Sequence, residues 1–152
     1  MAALDAERAP DIMPLPMKPA LCAACCLEPS LCFCAIIPRV ETQTRFVILR
    51  HFVEATKRTN SARIAALALP RCEIVDYGGK GDGPPGKKLA GEGTWLLYPG
   101  GEVWNGEGAR PARLVVLDGS WKQAKRMLLR VPELGRMKRF SLAGLNFLKS
   151  TH

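Results

Sequence analysis

What this chain lacks narrows its class before any motif is considered. No apolar stretch of the 152 residues approaches the ~20 needed to cross a bilayer as a helix. The first twenty residues hold Asp5, Glu7, Asp11 and four prolines, so they lack the basic start and apolar centre of a secretion signal. They read as a disordered leader, 1–20, and a soluble cytoplasmic protein with no membrane partner is expected. No internal repeat is visible, which argues against a solenoid. The length suits one domain burying roughly two-thirds of its unfolded surface.

Acid is scarce where base is dense. Residues 110–139 hold nine Lys/Arg against two acids, Asp118 and Glu133, so +7 of the chain's net +8 falls in that stretch. A local cationic patch of this kind points to a polyanion, nucleic acid first. A solvated face is the blander reading. Lys122, Arg126 and Arg130 lie at i, i+4 and i+8, one stripe of a helix with no acid beside it. Like charges at that spacing cost a few tenths of a kcal/mol per pair, so a compensating partner is expected. Lys122, Lys125, Arg126 and Arg130 are the candidate RNA-binding residues.

Five of the six cysteines fall in Cys22-x2-Cys25-Cys26-x5-Cys32-x-Cys34. Clustering this tight in a cytoplasmic chain argues for metal over disulfides. Cys22, Cys25, Cys32 and Cys34 are the expected ligands of a structural Zn²⁺, four thiolates leaving no open position for catalysis. Cys26 is the spare, because neighbouring residues in an extended turn point apart. The alternatives are buried free thiols or a redox pair. Residues 21–40 are thus a candidate zinc knuckle, and Cys72 a core residue.

Strands are expected at 44–50, 72–76, 94–98 and 114–117, with a further short strand at 138–142. Between the first two, Asn60 or Ser61 caps a helix that Pro70 stops. That strand–helix–strand unit implies parallel pairing. Residues 77–93 read as a mobile loop. Its Gly81-x-Gly83-x2-Gly86 pattern fails as a phosphate loop, because Pro84 and Pro85 remove backbone donors and Lys88 stands where Ser/Thr is required. The third strand is expected to end at Pro99-Gly100-Gly101, with Trp104 in a polar loop. Pro132 ends the basic helix.

The fourth run, 114–117, feeds Asp118-Gly119-Ser120-Trp121. Ser120 followed three residues later by Gln123 is a capping box, so a helix begins here. A carboxylate and an aromatic then sit where a parallel strand meets a helix N-terminus, the edge at which open α/β sheets bind ligands. The plain alternative is that Asp118 and Ser120 cap the helix and Trp121 is core.

Asp118-Gly119-Ser120-Trp121, taken with the cysteine cluster, resembles the DTW-domain family, named for an Asp-x-Thr-Trp motif after a strand. Further segments are similar to family motifs: His51-x2-Glu54-x2-Lys57-x-Thr59-Asn60-Ser61, Leu96-Leu97-Tyr98-Pro99-Gly100, and Ser150-Thr151, the start of a Ser-Thr-x-Glu-Ala helix. The resemblance runs from about residue 20 to the end. Ser replaces Thr at 61 and 120, keeping the hydroxyl, and Phe52 stands where the family usually has proline. The Glu-Ala of the last motif is absent, so residues 41–152 are expected to be a C-terminally truncated DTW domain lacking its last helix.

The resemblance implies a SPOUT-like, mostly parallel α/β sheet with a knotted cofactor site. It implies a tRNA-uridine aminocarboxypropyltransferase using S-adenosylmethionine as co-substrate and releasing methylthioadenosine. On that expectation Asp118 is the general base for uridine N3–H, worth ~10²–10⁴-fold. Tyr98, Pro99, Gly100, Gly119, Ser120 and Trp121 would bind the cofactor, the basic helix would hold tRNA phosphates, and His51 with Glu54 could form a hydrogen-bonded pair. The alternatives are a non-catalytic zinc-containing RNA-binding module and a SPOUT-like methyltransferase.

Overall fold

Each apolar run becomes a strand, and all strands point the same way. The computed structural model describes residues 20–104 and 107–142. β1 (Arg45–His51), β2 (Cys72–Tyr77), β3 (Thr94–Trp104), β4 (Arg113–Asp118) and β5 (Lys138–Leu142) form one sheet in the order β2-β1-β4-β3-β5, parallel at every pairing. The expected α/β class holds. The leader up to residue 19, and Ser150 and Thr151, lie outside the described residues.

Parallel strands need crossovers, and among the described residues five helices supply cover for the sheet: α1 (Phe52–Ala55), α2 (Ser61–Ala68), α3 (Gly86–Leu89), α4 (Trp121–Arg130) and α5 (Pro132–Arg136). Side chains alternate along each strand. Val47, Leu49, Val75, Leu96 and Val115 face one way and make the core with Leu89 of α3, Ala124 and Met127 of α4, Val131, and Leu134 of α5. The intervening residues, Ile48 and Arg50 among them, face the α2 side.

Three expectations shift. β3 does not stop at 98; it bulges over four residues and pairs again, so Trp104 is in a strand. Leu97 and Glu102 both lie opposite Phe140, with register broken between them. Residues 77–93 are not wholly loop, because α3 drives Leu89 to full burial. Pro132 ends α4 and also begins α5, since its fixed φ and missing N–H suit a first helical turn.

Candidate active site and metal centre

Among the described residues, Cys22, Cys25, Cys32 and Cys34 place all four Sγ atoms within 4.8 Å of one another. The Cys22–Cys34 and Cys25–Cys32 sulfur pairs are each 3.8 Å apart. Bonds of ~2.3 Å to a tetrahedral zinc put sulfurs about 3.8 Å apart, so this donor set fits a metal ion of that kind. Cys26 stands outside the group. Its φ of +62° is the left-handed turn that reverses the chain after Cys25, a different cause from the extended geometry expected.

Crowding makes these thiols unequal. Backbone N–H groups of Cys25 and Ala24 hold Cys22 down at about 6. Cys34 is pushed up to about 12, first by its hydrogen bond to the Cys25 thiol and then by desolvation. For Cys32 the N–H of Cys34 acts downward, but contacts with the Cys22 and Cys25 thiols outweigh it and the net shift is upward. One thiolate forms readily and its neighbours resist, which is the imbalance a divalent cation reverses.

The carboxyl ends of the parallel strands share one edge, and β3 parts from β4 there. Their pairing stops at Leu97 opposite Val116, while β4 continues beside β1 as far as Arg50 opposite Asp118. Pro99 has no N–H to donate, and Gly100 at φ +81° turns the chain out of line. Gly101 then lets β5 return: a Cβ there would meet the Arg139 and Phe140 backbone at 2.5 Å.

The split opens a cavity of about 230 Å³ lined by Leu97, Tyr98, Pro99, Leu117, Gly119 and Trp121, with Val116, Ala124 and Ser141 completing the wall. Tyr98 and Trp121 meet edge-on, ring centroids 6.5 Å apart. Trp121 is 57% exposed, so it is a wall and not core. Of the six residues expected to hold a cofactor, Tyr98, Pro99, Gly119 and Trp121 line this space. Gly100 and Ser120 are not among the lining residues. Ser120 is committed to the expected capping box, its Oγ accepting from Gln123 N–H while its own N–H donates to Gln123 Oε1.

Asp118 sits between the cavity-lining Leu117 and Gly119, but its carboxylate is turned toward α2. There the Asn60 amide donates to Oδ2 at 2.7 Å. Asn60 occupies the N-cap position of α2 yet makes no side-chain cap bond, so the expected cap is a bridge instead. Its Oδ1 accepts from Arg50 Nη1 at 3.2 Å, and Arg50 forks onto Asp76 through Nε at 2.7 Å and Nη2 at 3.0 Å. The Asp76 carboxylate holds the guanidinium above its ordinary range. Sequence reasoning missed Arg50. The available signal was that apolar runs 46–49, 74–75 and 114–117 each end in a charge, and parallel register aligns those three charges.

His51 and Glu54 do not pair. His51 Nδ1 accepts from Val53 N–H, capping α1, and Glu54 takes Lys57 at 2.7 Å. Along α4, Lys122, Lys125, Arg126 and Arg130 are exposed, and among the described residues none of them forms an ion pair. The stripe begins beside the cavity at Trp121 and runs about 15 Å along the helix at 1.5 Å per residue.

Among the described residues no helix is long and apolar enough to cross a membrane. A parallel sheet with a cleft at its carboxyl edge, a carboxylate beside it, a basic helix and a four-thiol cluster make up an α/β domain. The DTW domain model matches residues 19–147, and the chain belongs to that family. It is similar to tRNA-uridine aminocarboxypropyltransferase 2 of Macaca fascicularis, 27% identical over 141 residues covering 82% of this chain and 47% of that protein. The proteins of the same name from Mus musculus and Drosophila melanogaster are 28% and 29% identical, over 77% and 80% of this chain and 45% and 53% of theirs. The chain thus spans about half the length of these curated relatives. No solved structure matches it.

Proposed function

We propose that this chain transfers the 3-amino-3-carboxypropyl group of S-adenosylmethionine to N3 of a tRNA uridine. The observation carrying this reading is the aromatic-walled cavity at the sheet's carboxyl edge, flanked by Asp118 and by the cationic α4. Family membership and the names of the relatives agree with it. A cavity of 230 Å³ is below the ~300–1,000 Å³ of whole-ligand clefts. Tyr98, Pro99, Gly119 and Trp121 therefore grip one end of the donor, with Gly100 and Ser120 flanking them.

Uridine N3–H is a weak acid, and Asp118 takes its proton as general base. The freed N3 lone pair forms the new N–C bond to the terminal carbon of the donor's side chain. The bound donor supplies a sulfonium-activated carbon, so the C–S pair leaves with sulfur and methylthioadenosine is neutral. Lys122, Lys125, Arg126 and Arg130 hold tRNA phosphates, which positions the RNA without reading its sequence. Cys22, Cys25, Cys32 and Cys34 would hold a structural Zn²⁺, which would fix residues 21–40. These roles suit a cytoplasmic tRNA-modifying enzyme.

One observation favours a second reading, a non-catalytic RNA-binding module: the Asp118 carboxylate is not part of the cavity wall. Donor labelled separately in the propyl chain and in the methyl group decides the matter. Incubated with tRNA, propyl label on uridine supports the transfer. Methyl label means a methyltransferase. Salt-sensitive tRNA binding with neither label means the module. Asp118→Asn is expected to lower propyl transfer at least 100-fold, and equal transfer by both proteins removes Asp118 from the mechanism.

A further inference from the structure

Behind Asp118 lies a row of polar groups that the proposed chemistry leaves without a task. Arg50 is 8% exposed and Asn60 6%. Burying a guanidinium carries a desolvation cost, and its ion-pair partner Asp76, 42% exposed, offsets that only in part. Asn60 also forgoes the helix cap its position offers, a bond worth ~1 kcal/mol. Something other than local stability accounts for the arrangement.

Its direction is fixed by chemistry. A guanidinium only donates and a carboxylate only accepts. Arg50, forked on Asp76, therefore requires the Asn60 oxygen, which turns the Asn60 NH₂ to Asp118. Flipping the amide would set NH₂ against guanidinium and carbonyl against carboxylate, two repulsions in place of two bonds. Among the described residues Asp118 Oδ1 accepts no hydrogen bond.

We propose that Asn60, oriented by Arg50, is a positioning residue that clamps Asp118 Oδ2 and leaves Oδ1 as the oxygen presented to the uridine N3–H. The clamp lets a carboxylate at the cavity's edge take one rotamer without belonging to its wall. This rests on the transfer reading above and deepens it.

Two variants test it. Asn60→Ala removes the clamp. Asn60→Asp keeps the volume and can still accept from Arg50, but in its ionised form, enforced by assaying at about pH 8–9, it has no donor for Asp118. Both are expected to lower kcat about 10- to 100-fold with KM for donor and tRNA unchanged, the loss typical of a misplaced reacting group. Asn60→Asp sets carboxylate against carboxylate and lowers the thermal midpoint, so both variants are assayed at a temperature where circular dichroism shows them folded. In an Asp118→Asn background neither variant lowers kcat further, because both act through that carboxylate. Equal losses in both backgrounds, or full activity of Asn60→Asp, overturn the proposal. The ¹³Cγ resonance of Asp118 in aspartate-labelled full-length protein reads the clamp without catalysis. It shifts in Asn60→Ala if the contact exists, and an unmoved signal overturns it. Should wild type transfer nothing while that signal moves, the clamp stands and the transfer reading falls.

Discussion

Removing metal from the cysteine cluster is expected to unfold residues 22–34 and leave the sheet intact. The segment holds only turns, with two short 3-10 stretches at Pro29–Leu31 and Cys34–Ile36. Of its side chains Cys25 alone is buried, and Leu31 is 63% exposed. Ordering thirteen residues costs roughly 20 kcal/mol at ~1.5 per residue. Four backbone hydrogen bonds, from the N–H groups of Cys22, Cys26, Leu31 and Cys32, return about 4 kcal/mol. Burying Cys25 returns about 2 more. The remainder, about 14 kcal/mol, matches the ~10–16 kcal/mol of structural zinc on thiolates. Hydrogen exchange read by mass spectrometry, with and without chelator, checks this. Protection over 22–34 should vanish while that of β1 and β4 persists. Unchanged protection over 22–34 in protein shown by metal analysis to be metal-free would refute the reasoning. Cys32→Ser should lose the metal and Cys26→Ser should keep it.

The same thiols make metal affinity rise with pH. Cys34, near 12, and Cys32, shifted upward, still carry protons at pH 7, while Cys22, near 6, is mostly thiolate already. A metal must displace at least those two protons, so competition titrations should show a gain of about 100-fold or more from pH 6.5 to 7.5, and a pH-independent constant would contradict it. Lys122→Glu with Arg126→Glu should weaken tRNA binding and reduce the slope of log K against log salt by about 2, whatever the RNA sequence. Leu89→Ala should lower stability by about 2–5 kcal/mol, seen as a lower urea midpoint at unchanged m, because Leu89 pins residues 77–93 to the core.

What the sequence disclosed follows from how local each signal is. The apolar runs, the Ser120–Gln123 box and the cysteine spacing are short-range patterns, and the strands, α4 and the four-thiol centre appear where they point. Pro99 and Gly100 were expected to end β3, and they only interrupt its register. Its resumption as far as Trp104 depended on a partner about forty residues away, β5, which no pattern near Gly101 reveals. Asn60 misled for a related reason. An Asn before a helix is a cap on local grounds, and its diversion to Asp118 required two strands and a helix to meet.

Register connects the core to the site. Val47 and Leu49 are fully buried on the face covered by α3, α4 and α5, so β1 cannot slip by one residue without exposing both. That constraint leaves Arg50 on the opposite face, level with Asp76 on one side and Asp118 on the other. Here the guanidinium forks onto Asp76 through Nε and Nη2 and turns Nη1 to Asn60. Asn60 fills the gap to Asp118 by converting a spare guanidinium donor into an amide donor one residue's reach further on. Packing under α4 therefore sets where the carboxylate is held, and a core substitution that shifts β1 would act on Asp118 without touching it.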